Sequence, residues 1–127
     1  MKLLRLAEEL RALQADAPRA PRCRCGVGAC PGWTSLGEER WPALRMQAVA
    51  TLRDPEVAEP TFEERHPAGT RYDDPAAPVA PGFFPYNRCE LWRCADCRRL
   101  LLRYTEFGGY YVDHRVREFG PDLQVLD

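Results

Sequence analysis

The stretch that decides the fold is residues 89–119, CELWRCADCRRLLLRYTEFGGYYVDHRVREF. Three β-prone runs, CELWR, RRLLLRYTE and GYYVDHRVREF, are separated by CADC and FGG, and short runs punctuated in this way read as an antiparallel meander. Gly108-Gly109 is expected to supply the positive φ that a tight hairpin needs.

Cys94 and Cys97 sit two residues apart in the turn between the first two runs. Such a turn points both thiolates inward while its backbone amides stabilise their charge, which is the arrangement of a zinc knuckle. The CADC turn resembles the half-site of zinc-ribbon proteins. A redox role for the pair requires a thioredoxin-like βαβ setting, whereas strands flank this one.

A second group of cysteines lies in residues 22–33, RCRCGVGACPGW. Cys23, Cys25, Gly26, Cys30 and Gly32 follow the pattern C-x-C-G-x-x-x-C-x-G. This resembles the post-SET zinc segment of lysine methyltransferases, in which three cysteines so spaced bind one zinc and a cysteine from elsewhere in the fold completes the site. The chain before it is too short for a SET domain, so the resemblance implies metal geometry and not methyltransferase activity.

Two triplets result, Cys23, Cys25 and Cys30 against Cys89, Cys94 and Cys97. The economical expectation is one zinc held by Cys94, Cys97 and two of the early three, clipping the early loop to the C-terminal hairpin. A richer arrangement uses all six thiols, as a binuclear cluster or as two sites capped by His66 and His114. A zinc ringed by four thiolates has no open position, so it is structural. Its binding free energy, on the order of 10 kcal/mol or more, is folding free energy.

Outward from the cysteines, Leu3, Leu6, Ala7, Leu10 and Leu13 recur at helical spacing and make segment 1–15 an amphipathic helix beginning at residue 2. Residues 38–53 are ambiguous. Trp41, Leu44, Ala48 and Leu52 suit a helix, while Leu44, Met46, Ala48, Ala50 and Leu52 alternate as in a strand. A second helix is favoured, because Glu38 and Glu39 would sit at its positive end and Pro42 is tolerated in a first turn. Seven of the twelve prolines fall in residues 54–87, which therefore read as a long Pro-rich loop pinned by Tyr72, Phe83, Phe84 and Tyr86. The whole, residues 1–127, is expected to be a single zinc-stabilised α+β domain whose meander occupies residues 88–119.

Composition narrows the function. A net charge of -1 and a pI near 6.1 lack the basic footprint of a nucleic-acid binder. Lys2 is the only lysine, against seventeen arginines, as in a GC-rich bacterial gene; it excludes a P-loop and a Schiff-base enzyme. Ser35 is the only serine and lies outside a nucleophile elbow, and no HExxH occurs. No apolar run is long enough for a membrane span, and Glu8 and Glu9 interrupt a signal-peptide core, so a cytoplasmic protein is expected. His114 beside Asp113 falls in a strand, where neighbours face opposite ways, so the two do not form a catalytic pair.

These exclusions leave a non-catalytic protein that acts by binding another protein, through its acidic Pro-rich segment or its arginine-aromatic hairpin. An immunity protein masking a basic toxin fits this description. The alternative is a zinc-ribbon regulator touching nucleic acid, its bases stacked on Trp92, Tyr104, Phe107, Tyr110 and Tyr111 among Arg93, Arg98, Arg99, Arg103, Arg115 and Arg117.

Overall fold

The computed structural model describes residues 1–18 and 25–127. Among them are one α-helix, α1 (Ala7–Gln14), and six strands: β1 (Lys2–Leu3), β2 (Thr34–Ser35), β3 (Met46–Thr51), β4 (Glu90–Cys94), β5 (Leu100–Phe107) and β6 (Val112–Glu118). They form one mixed sheet in the order β1-β3-β4-β5-β6-β2, with β1 parallel to β3 and every other neighbour antiparallel. The protein is α+β, with β structure predominant. None of the described helices is long and apolar enough to cross a membrane.

The meander of β4, β5 and β6 is the centre of the sheet. Its last hairpin departs from expectation in one respect: neither Gly108 nor Gly109 has a positive φ. Gly108 is small for a steric reason instead, since a Cβ there would lie 2.3 Å from the Tyr111 ring.

The N-terminal helix is shorter than its apolar periodicity predicts. Lys2 and Leu3 pair with Ala50 and Thr51, and the helix begins only at Ala7. Leu4 is buried but Leu6 is exposed, so the leucine repeat before Ala7 serves an edge strand and its turn. Glu9 accepts the backbone N–H of both Arg5 and Leu6, at 3.1 and 3.2 Å, and Asp127 accepts that of Ala7 at 2.8 Å. These carboxylates satisfy amides that the helix itself leaves open at its positive end.

The expected helix over 38–53 is not formed: residues 46–51 are strand β3, preceded by a 3-10 turn at Ala43–Arg45. Alternation won, with a bulge that explains the ambiguity. Ala48 pairs with Trp92 and Ala50 with Leu91, so two residues of β3 answer one of β4. Met46 thus joins the apolar cluster on one face, while Ala50 and Leu52 join that on the other. A run of alternating apolar residues that changes face midway imitates helical periodicity.

Both faces of the sheet are covered. The helix-side core gathers Leu4, Ala7 and Leu10 against Ala50, Leu91, Leu100 and Leu102, with Tyr104 and Phe119. The opposite core gathers Cys25, Cys30 and Cys94 with Leu36, Trp41, Met46, Leu101 and Val116, and Cys97 and Trp92 pack against it.

Residues 54–87 contain no α-helix and no strand, only a 3-10 turn at Pro67–Gly69, the start of another at Tyr86–Arg88, and a single parallel bridge from Val79 to Val125. Prolines lack the N–H that would satisfy a neighbouring carbonyl, so such a segment carries surplus acceptors. Arginines meet them. Arg88 donates to Pro60 O and Thr61 O at 3.0 Å each, Arg53 to Val57 O at 2.8 Å, and Arg117 to Pro75 O at 3.0 Å and Ala77 O at 2.7 Å. Aromatic packing completes the attachment: Trp33 stacks on Tyr72 and meets Tyr104 edge-on, with centroids 6.4 and 4.9 Å apart.

Candidate metal centre

Two segments far apart in sequence bring four thiols to one apolar cluster: Cys25 and Cys30 from the early loop, Cys94 from the end of β4 and, packed against the cluster, Cys97 from the turn that follows. No disulfide joins any two of the five described cysteines. Cys23 lies outside the described residues. Among the described residues, no group of three or more His, Cys, Asp or Glu side chains is arranged to hold a metal ion.

The local chain geometry explains how the thiols reach this face. Gly26 and Gly28 have φ of 88° and 77°, a left-handed conformation that costs a side chain but not glycine, and they coil the early loop so that Cys25, Val27 and Cys30 all turn inward. In the knuckle, Cys94 O accepts from Arg98 N at 2.9 Å and Cys94 N donates to Arg99 O at 3.0 Å, which closes the turn. Arg98 pays for that closure with a φ of 66°, while its own side chain is exposed.

Hydrogen bonds tie the two segments together. Glu118 N donates to Cys30 O at 2.7 Å, and Arg99 donates through Nη2 to Gly28 O at 2.7 Å and through Nε to Glu118 Oε2 at 3.3 Å. A further Arg99–Glu118 contact makes the pair bidentate, and Arg99 Nη1 lies 3.8 Å from Cys25 Sγ. Burial pulls the Arg99 guanidinium down, but the hydrogen bond and charge of Glu118 outweigh it and leave the group above its ordinary value. Burial pushes the Cys30 thiol up, against the opposing charge of Arg99.

Cys89 is elsewhere. It belongs to the helix-side core, across the sheet from the other four described cysteines, and its Sγ donates to Pro85 O at 3.3 Å. Burial pushes its thiol well above the ordinary range, with Arg117 opposing. His66 lies 3.5 Å from Glu64, and His114 is held between Thr105, at 3.0 Å, and Glu38, at 3.4 Å.

Four of the six arginines between Arg93 and Arg117 are turned to internal use. Arg99 and Arg117 are buried, Arg103 lies over the Trp41 ring at 4.4 Å and pairs with Glu38, and Arg115 pairs with Asp113 at 2.9 Å. Nothing but its place two residues after Cys97 marks Arg99 in the sequence, and Glu118 has no signal at all. The apolar side chains at the hairpin tip face outward instead: Phe107 is 78% exposed and Tyr110 fully so, with Tyr111 and Val112 beside them. A seven-pair ladder, from Leu101–Glu118 to Phe107–Val112, supports that tip.

No protein-family model matches the chain, and comparison with curated proteins and with solved structures finds no similar protein.

Proposed function

We propose that this is a non-catalytic, zinc-stabilised protein that acts by binding another protein in the bacterial cytoplasm, as an immunity-type inhibitor does. The observation that carries the zinc reading is that Cys25, Cys30 and Cys94 share one apolar cluster on the same face of the sheet, with Cys97 packed against it. One zinc held by Cys94, Cys97 and two of Cys23, Cys25 and Cys30 is the arrangement of choice. The placement of Cys89 in the other core weighs against the use of all six thiols. Coordinated in this way, the metal would be a clasp with no open position and no chemistry of its own.

The binding surface is the tip of the β5–β6 hairpin, where Phe107, Tyr110, Tyr111 and Val112 are exposed together. Aromatic side chains on a rigid support are the anchors that protein interfaces favour. The internal pairing of Arg99, Arg103, Arg115 and Arg117 favours a protein partner over nucleic acid.

Native mass spectrometry of reduced full-length protein tests the metal: one zinc per chain is expected, and none would remove the reading. Co-expression with the products of adjacent genes tests the partner. A stable complex lost on replacing Phe107, Tyr110 and Tyr111 by Ser is expected; a salt-sensitive complex with single-stranded RNA or DNA instead would overturn the protein-binding reading.

A further inference from the structure

Arg99 occupies an unusual position: an arginine only 3% exposed, two residues beyond the knuckle, that reaches back to the early loop. Its fork serves three acceptors at once, the Glu118 carboxylate, the Gly28 carbonyl and the Cys25 sulfur. Glu118 in turn holds Cys30 through its backbone N–H, and the Arg99 carbonyl holds the N–H of Cys94. Three of the cysteines are thus tied to the two residues of one ion pair, Cys25 through the guanidinium and Cys30 and Cys94 through backbone groups. A zinc with four thiolates carries a net charge of -2, which an apolar surrounding such as Leu36, Trp41 and Leu101 does nothing to stabilise.

We propose that Arg99, oriented by Glu118, is the positioning residue of the metal centre: it donates to the Cys25 thiolate and neutralises part of the site's charge, and so governs how tightly zinc is held. This rests on the zinc reading above, with Cys25 as one of the two ligands from the early loop. Partners outside the coordination shell fix the orientation of ligands and tune the metal, and losing one typically weakens metal binding by about 10–100-fold. Lys in place of Arg99 keeps the charge but, as a single point donor, does not span the three acceptors.

Competition with a chromophoric chelator, on the full chain, measures zinc affinity in wild type, Arg99→Lys, Arg99→Met and Glu118→Gln. Absorption of the cobalt(II) forms reports the sulfur ligands directly. Affinity is expected to fall by about 10–100-fold in Arg99→Met and by less in Arg99→Lys. The sulfur-to-cobalt charge-transfer band should move to lower energy as the Cys25 sulfur loses its donor. If Arg99→Met fails to fold, Arg99→Lys and Glu118→Gln carry the comparison. Unchanged affinity, or weaker affinity with an unmoved band, would overturn the role of Arg99 and leave the zinc reading standing. A wild-type chain that binds neither zinc nor cobalt would instead remove the zinc reading, and this inference with it.

Discussion

Arg117 and Ala77 meet where neither is reached by solvent: the guanidinium Nη2 donates to the Ala77 carbonyl at 2.7 Å. The same side chain serves Pro75 O and the Tyr86 hydroxyl, so a single arginine on β6 provides donors to a segment whose prolines cannot provide them. Arg117→Met retains much of the volume and removes every donor. Each acceptor left buried without a partner costs about 1–3 kcal/mol, so a loss of roughly 3 kcal/mol or more is expected in urea denaturation. A loss below about 1 kcal/mol would mean that water replaces the guanidinium.

Cys89 and Cys94 lie on opposite faces of the sheet, and their replacements should behave differently. Cys89→Ala removes one sulfur from a packed core; a cost of about 1 kcal/mol with zinc stoichiometry unchanged is expected. Cys94→Ala should abolish zinc binding as read by native mass spectrometry. Loss of zinc in Cys89→Ala would restore Cys89 as a ligand.

Tyr86 and Tyr104 are raised above the ordinary phenol value by burial, which penalises the phenolate; the Tyr72 hydroxyl adds to the effect at Tyr104, and Arg117 and Arg115 oppose it. A group whose folded pKa is raised contributes stability that is fully present below its unfolded value, about 10 for tyrosine, and lost as pH rises through the folded value. Alkaline titration followed at 295 nm should therefore show two of the five tyrosines ionising only as the protein unfolds. Ionisation of all five near pH 10 with native circular dichroism would contradict this burial.

Two glycines make opposite predictions under the same substitution. A Cβ on Gly32 would meet the Asp73 backbone oxygen at 2.8 Å, so Gly32→Ala forces the Pro-rich segment outward and should cost about 1–3 kcal/mol. The atoms nearest a Cβ on Gly108 belong to the ring of the exposed Tyr111, which can swing away. Gly108→Ala is expected to cost less than about 1 kcal/mol in thermal denaturation while altering the hairpin tip.

Replacing Phe107, Tyr110 and Tyr111 by Ser touches no buried contact, so stability should stay within about 0.5 kcal/mol for each site. A larger loss would show that the tip is held by packing rather than displayed for a partner.

Much of this architecture is legible in residues 89–119, because the β-prone runs and the turns between them are local signals. The meander follows from them, and so does the placement of Cys97 in the turn that follows Cys94. The reading of 38–53 as a helix failed because a bulge between Ala48 and Ala50 moves the apolar side chains from one face to the other, and no local rule marks that shift. Likewise, the alternation in VDHRVRE places Arg115 and Arg117 where a one-sided sheet would be solvated.

The central strands, the helical stripe through Ala7 and Leu10, and two groups of cysteines with metal-like spacing can be read from the chain alone, since each depends on residues close together in it. Packing, by contrast, covers the sheet on both faces, makes Arg117 an interior donor to Pro75 and Ala77, and parts Cys89 from Cys94. Those outcomes depend on which distant segment packs on which face. Burial of Arg117 is tolerable because proline-rich chain arrives with carbonyls in need of donors.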